Sequence, residues 1–154
     1  MTIAPVVAKV TVKASPDRAF ELFSKHISDW WEKGKTIGKN PHVDIVIEPK
    51  AGGRWFERDA AGVECPWGKV LAWEPPHRLL LGWQLNSVFE YDPNFLTEVE
   101  LTFVAQVGGS TLVTLEHRDL ERFGADAVKI ARQVGDGWPK FMADFATYAD
   151  THKE

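Results

Sequence analysis

The last third of the chain carries the strongest constraint on its fold. Trp138, Phe141, Met142, Phe145, Tyr148 and Ala149 recur at helical spacing and place a wide aromatic stripe on one face of a C-terminal helix. Such a face must be buried against a large apolar surface. The segments upstream that could supply one alternate with the two-residue period of β-strands.

Those segments follow one another closely. Residues 6–13 (VVAKVTVK) alternate apolar and polar side chains, the pattern of a strand with one buried face. Ser15-Pro16-Asp17 reads as a helix start, with Ser15 as N-cap and Pro16 in the first turn. Ala19, Phe20, Phe23 and Ile27 give that helix its apolar stripe, Asp29-Trp30-Trp31 follows, and 34–41 reads as loop. Strands are predicted over 42–48, 54–58, 65–74, 78–85, 97–107 and 111–117, with turns at 50–53, 59–62 and 108–110. Near the C-terminus, 125–134 predicts a short helix broken at Gly135-Asp136-Gly137. A longer helix then begins at Trp138-Pro139, because proline is tolerated in a first turn. A run of antiparallel strands between helices defines an α+β fold. A strongly curved sheet could wrap the last helix and leave a space between them.

Composition narrows the function classes. The 154 residues, 44% hydrophobic and 26% charged, suit one globular domain over 1–154. A net charge of -4 argues against a nucleic-acid surface, which needs excess Lys and Arg. The N-terminal residues lack the basic and apolar segments of a secretion signal, and no apolar run is long enough for a membrane helix. The single cysteine, Cys65, allows no internal disulfide, so a cytoplasmic location is expected.

Catalytic signatures are sparse. His26, His42, His77, His117 and His152 show no paired metal spacing, and Cys65 has no histidine at motif distance, so no metal site is expected. No phosphate-binding or dinucleotide-binding glycine pattern and no nucleophile elbow occur, and no cofactor is expected. His117, at the end of the last strand, has two readings: a surface residue among charged neighbours, or a polar group facing a cavity and able to act as a base. By alternation Glu116 points away from it. Arg54, Glu57, Arg58 and Asp59 read as charges that face water or pair across a ribbon. The seven tryptophans exceed what catalysis explains; they suit a core or the wall of a half-wet cavity.

The order and spacing of several short motifs resemble a known family. They are Phe20 with Phe23, Ile27-x-x-Trp30-Trp31, Ile37-Gly38, Glu48-Pro49, Gly52-Gly53-Arg54-Trp55, Trp67-Gly68-x-Val70-Leu71-x-Trp73-x-Pro75-Pro76, Leu79-x-x-x-Trp83, Leu115-Glu116-His117 and Gly137-Trp138. The chain is similar to the SRPBCC, or START-like, superfamily, in the bacterial branch named after the C-terminal domain of the heat-shock protein 90 ATPase activator. The resemblance implies a helix-grip fold, in which a curved antiparallel sheet grips a long C-terminal helix around an apolar cavity. Members bind lipids, sterols or plant hormones, cyclise polyketides, or act on a chaperone. At 154 residues the chain is expected to lack the separate N-terminal domain of the full activator, which weighs against a co-chaperone role.

The expected function is therefore binding of a small apolar or aromatic molecule. Its expected cavity is lined by Trp30, Trp31, Trp55, Phe56, Trp67, Trp83, Phe89, Phe95, Trp138, Phe141 and Met142. The direction of Trp55 against Phe56 stays open, because both faces of that strand carry a ring. Two alternatives stand beside it. One is a protein-binding module with a partner such as a chaperone, using the rings of 89–95, which otherwise fold back as a lid. The other is a cyclase or hydrolase that uses the cavity, with His117 as its candidate base.

Overall fold

A computed structural model describes residues 2–32, 35, 37–38 and 42–154, with His42 and Val43 described in their backbone alone. Seven antiparallel strands form one curled sheet in the order β1-β7-β6-β5-β4-β3-β2, and a long C-terminal helix lies in its grip. The strands are β1 (Val6–Val12), β2 (His42–Ile47), β3 (Arg54–Asp59), β4 (Glu64–Glu74), β5 (Arg78–Trp83), β6 (Thr97–Ala105) and β7 (Thr111–Arg118). The helices are α1 (Pro16–Ser24), α2 (Ile27–Trp30) and α3 (Ala127–Thr151), with a 3₁₀ segment at Leu120–Asp126 ahead of α3. This is the helix-grip architecture. The loop expected over 34–41 falls largely outside the described residues.

The strand alternation places the core. In β7 and in β6 as far as Phe103 every second residue is buried, with Val99, Leu101 and Phe103 beside Val113, Leu115 and His117 on the concave side. On the convex side Arg118 pairs with Glu98, Glu100 and Glu116, so the outer face is held by ion pairs in water. Ser15 caps α1 by accepting from the Arg18 N–H, with Pro16 in the first turn as the sequence predicts. The stripe expected to run to Ile27 along one helix is instead divided between two. Helix α1 ends at Ser24, and Ile27 opens the short α2.

The C-terminal helix corrects the expected break. Helix α3 runs without interruption through Gly135, Gly137 and Pro139. An interior proline forfeits one backbone hydrogen bond at a cost of roughly 3 kcal/mol, and each glycine adds about 1 kcal/mol. The buried side chains Ile130, Val134, Trp138, Met142, Phe145 and Ala149 span both sides of that point on one face. At about 1.5–3 kcal/mol per large apolar side chain, their burial outweighs the local penalty.

Candidate functional site

Between α3 and the open end of the sheet lies a cleft with two adjoining compartments. The outer one, about 530 Å³, is walled by Trp31, Trp83, Phe89, Trp138 and Phe141 and rimmed by Glu32, Lys35, Gln133, Asp136 and Lys140. The inner one, about 230 Å³, shares Trp31, Lys35, Trp83, Phe89 and Phe141 and adds Ile37, Trp67 and Leu85. Their combined size is that of an ordinary small-molecule pocket.

Of the eleven rings and side chains expected in the cavity wall, Trp31, Trp67, Trp83, Phe89, Trp138 and Phe141 line this cleft. Trp31 is central: it stacks on Phe141 at 4.2 Å between centroids and contacts Trp67 at 5.1 Å. The other five fall elsewhere. Trp30, Trp55 and Met142 are buried in the core behind the wall, Trp30 against Phe23 and Phe145, Trp55 against Trp67 and Trp83. Phe95 packs on Phe123 at 4.8 Å. Phe56 is on the convex face, where the guanidinium groups of Arg54 and Arg58 lie 4.3 and 5.4 Å from its ring centre. Within 89–95, Phe89 reaches Trp83 at 6.5 Å between ring centres, yet both Phe89 and Tyr91 stay exposed.

The direction of β3 follows from a bulge. Trp55 pairs with Gly68 and Phe56 with Pro66, so Trp67 is the extra residue of β4. Gly68 permits the close pairing, since a Cβ there would stand 1.7 Å from the Gly82 carbonyl oxygen. With Trp55 facing inward, alternation turns Glu57 inward too. Glu57 is 1% exposed, which corrects its reading as a water-facing charge. Its Oε1 accepts from the Trp67 indole N–H at 2.8 Å and the Ile37 N–H at 2.6 Å, and its Oε2 accepts from the Gly38 N–H at 3.1 Å. The carboxylate thus ties a cleft tryptophan to the backbone beside it. Asp59, also inward, holds its own turn by accepting from the Ala61 and Val63 N–H groups. Arg54, Arg58 and Glu64 do pair on the outer face. Sequence reasoning missed Glu57, although its two-residue spacing from Trp55 was the available signal.

His117 is fully buried, so the surface reading fails. Its Nδ1 lies 3.1 Å from the Trp138 indole nitrogen, a group that only donates, and its Nε2 lies 2.8 Å from Thr97 Oγ1. The ring is therefore neutral, with its proton on Nε2. Burial pushes its pKa down to about 3. Both nitrogens are engaged inside the wall, and His117 backs Trp83 and Trp138 rather than lining the cleft. Desolvation, with the Glu57 and Asp59 carboxylates nearby, raises the pKa of the Cys65 thiol, which disfavours its thiolate. Among the described residues, no group of three or more His, Cys, Asp or Glu could hold a metal ion, and no helix is long and apolar enough to cross a membrane.

Fold and cleft together define a helix-grip protein with an aromatic pocket. The chain belongs to the family described as Activator of Hsp90 ATPase homolog 1-like protein, whose sequence model matches residues 13–150. No curated protein matches it. Among solved structures, it is 34% identical to Txn09, an anthrahydroquino-γ-pyrone synthase, over 95% of this chain and 97% of that one, with a TM-score of 0.66. It is 32% identical to CalC, a self-sacrificing resistance protein from Micromonospora echinospora, over 97% and 96% of the two chains, with a TM-score of 0.74. The protein MLL2253 from Mesorhizobium loti shares the fold at 20% identity and a TM-score of 0.69, covering 96% and 97%.

Proposed function

We propose that the protein binds a planar aromatic small molecule in the cleft between α3 and the sheet. The observation that carries this reading is the wall itself: Trp31 stacked on Phe141, with Trp67, Trp83 and Trp138 presented around the same space. Rings offer flat apolar surface and favour offset or edge contacts with another ring. The name of Txn09 as a synthase of a fused aromatic pyrone supports the same ligand class. Titration of isotope-labelled protein with naphthols, flavonoids, anthraquinones, sterols and fatty acids tests it. Saturable shifts at the indole N–H groups of Trp31, Trp67, Trp83 and Trp138 are expected with the planar aromatics. Binding by sterols or fatty acids alone would overturn it.

A second reading, cyclisation of such a molecule in the cleft, is favoured by the synthase name of that 34% identical relative. His117 and Glu57 spend their hydrogen bonds inside the wall, so the protein's contribution would be to hold the substrate in a reactive conformation. Mass-detected conversion of a bound linear polyketide would favour this reading over binding alone.

A further inference from the structure

The cleft tryptophans keep their polar atoms to themselves. Trp31 donates its indole N–H to the Lys35 carbonyl at 2.8 Å, Trp67 to Glu57 at 2.8 Å, Trp83 to the Leu85 carbonyl at 3.0 Å and Trp138 to His117 at 3.1 Å. Glu57, the buried carboxylate that holds the Trp67 indole, accepts from three donors. The unpartnered Trp55 indole N–H belongs to a core ring behind the wall. Among the described residues, the inner compartment's one side chain with spare hydrogen-bonding capacity is Lys35, which is exposed and shared with the outer compartment. The outer rim is the opposite, with Glu32, Lys35, Gln133, Asp136 and Lys140 all polar.

Building on the aromatic-binding reading, we infer that the ligand is a planar aromatic whose polar substituents are confined to one end. Its bare end enters the inner compartment and its substituted end meets the rim. The reason is desolvation. A hydroxyl carried inward gives up water and meets indole N–H groups that are already engaged, with only the exposed Lys35 to answer it, whereas a methyl group of similar size gives up nothing. The apolar lining of the compartment accepts a bare ring without orienting a polar group. This separates ligands by the placement of their polar groups, a discrimination that shape alone does not provide.

The test compares two probes of nearly equal shape, 6-methyl-2-naphthol and naphthalene-2,6-diol, by calorimetry on the whole chain. The methyl compound is expected to bind at least about tenfold more tightly, because the diol must place one hydroxyl among rings whose N–H groups are already engaged. Equal affinities, or tighter binding of the diol, would overturn the inference and leave aromatic binding standing. Failure of both probes to bind would overturn the aromatic-binding reading together with it. Trp67→Phe provides a gain-of-function arm, since it takes one donor from Glu57 and opens an acceptor beside the inner compartment. The gap between the probes is expected to narrow at least about threefold in that variant. A folded Trp67→Phe protein, checked by circular dichroism, that keeps the full gap would also overturn it.

Discussion

Trp138 on α3 donates its indole N–H to His117 Nδ1 on β7 over 3.1 Å, and this bond fixes the protonation state of a fully buried histidine. Protonating Nδ1 would turn one donor against another, and burial already penalises the cation. The helix that grips the sheet is thus keyed to the strand by a neutral imidazole, which Thr97 holds from the other side at 2.8 Å.

A pH dependence follows. The folded pKa of His117 is lowered to about 3 from the ordinary 6.5. Between those values the unfolded chain binds a proton at this residue that the folded chain refuses. Its stabilising contribution is therefore complete above pH 6.5 and is lost as pH falls, by up to roughly 1.4 kcal/mol per unit. Urea unfolding of the wild type and His117→Gln at intervals from pH 7 to pH 4.5 measures it. The wild type is expected to lose stability more steeply; parallel curves would refute the assignment.

Glu57 yields a second prediction. Glu57→Gln keeps the shape but replaces one acceptor oxygen with an amide N–H₂, which must then face the Trp67 indole or a backbone N–H. A loss of about 1–3 kcal/mol is expected in chemical denaturation. Hydrogen exchange at Ile37 and Gly38 should quicken, because their N–H groups lose a charged acceptor. Unchanged protection at both amides would show that the carboxylate does not hold this segment.

How much of this was legible depended on periodicity. The strands, the Ser15 cap and the aromatic stripe of α3 were readable, because one face of each is buried and the other is not. The continuity of α3 was hidden: Gly135, Gly137 and Pro139 carry a strong local preference against helix, and the contacts that override it lie on strands and helices distant in sequence. In β3 rings occupy both faces, so alternation could not choose between Trp55 and Phe56. The bulge at Trp67 and the arginines flanking Phe56 decide it. The direction of Glu57 was hidden with that choice, and the division of eleven candidate residues into wall and core needed the tertiary fold.

Two glycines should respond oppositely to alanine. At Gly68 a Cβ would meet the Gly82 carbonyl oxygen at 1.7 Å, so the strands must part and Trp67 loses its position. Gly68→Ala should cost about 3 kcal/mol or more. At Gly135 a Cβ would find only Val6 Cγ2 at 3.8 Å, an ordinary contact, inside a continuous helix. Gly135→Ala should stabilise by roughly 0.5–1 kcal/mol. Thermal melts of the two variants check both signs, and destabilisation by Gly135→Ala would argue against the unbroken α3.

Phe141 and Phe145 are one helical turn apart on α3 but have different surroundings. Phe145 is fully buried against Phe23 and Trp30, while Phe141 is half-buried, stacked on Trp31 at the edge of the cleft. Truncating a core phenylalanine costs about 3–5 kcal/mol, so Phe145→Ala should fall in that range. Phe141→Ala opens onto space that is already open, and roughly 1–2 kcal/mol is expected from the lost stacking and partial burial. The same variant should weaken binding of 6-methyl-2-naphthol at least about fivefold, since it removes half of the stacked pair. Denaturation and calorimetry on both variants separate the roles. A Phe141→Ala protein as unstable as Phe145→Ala would place that ring in the core and remove it from the ligand wall.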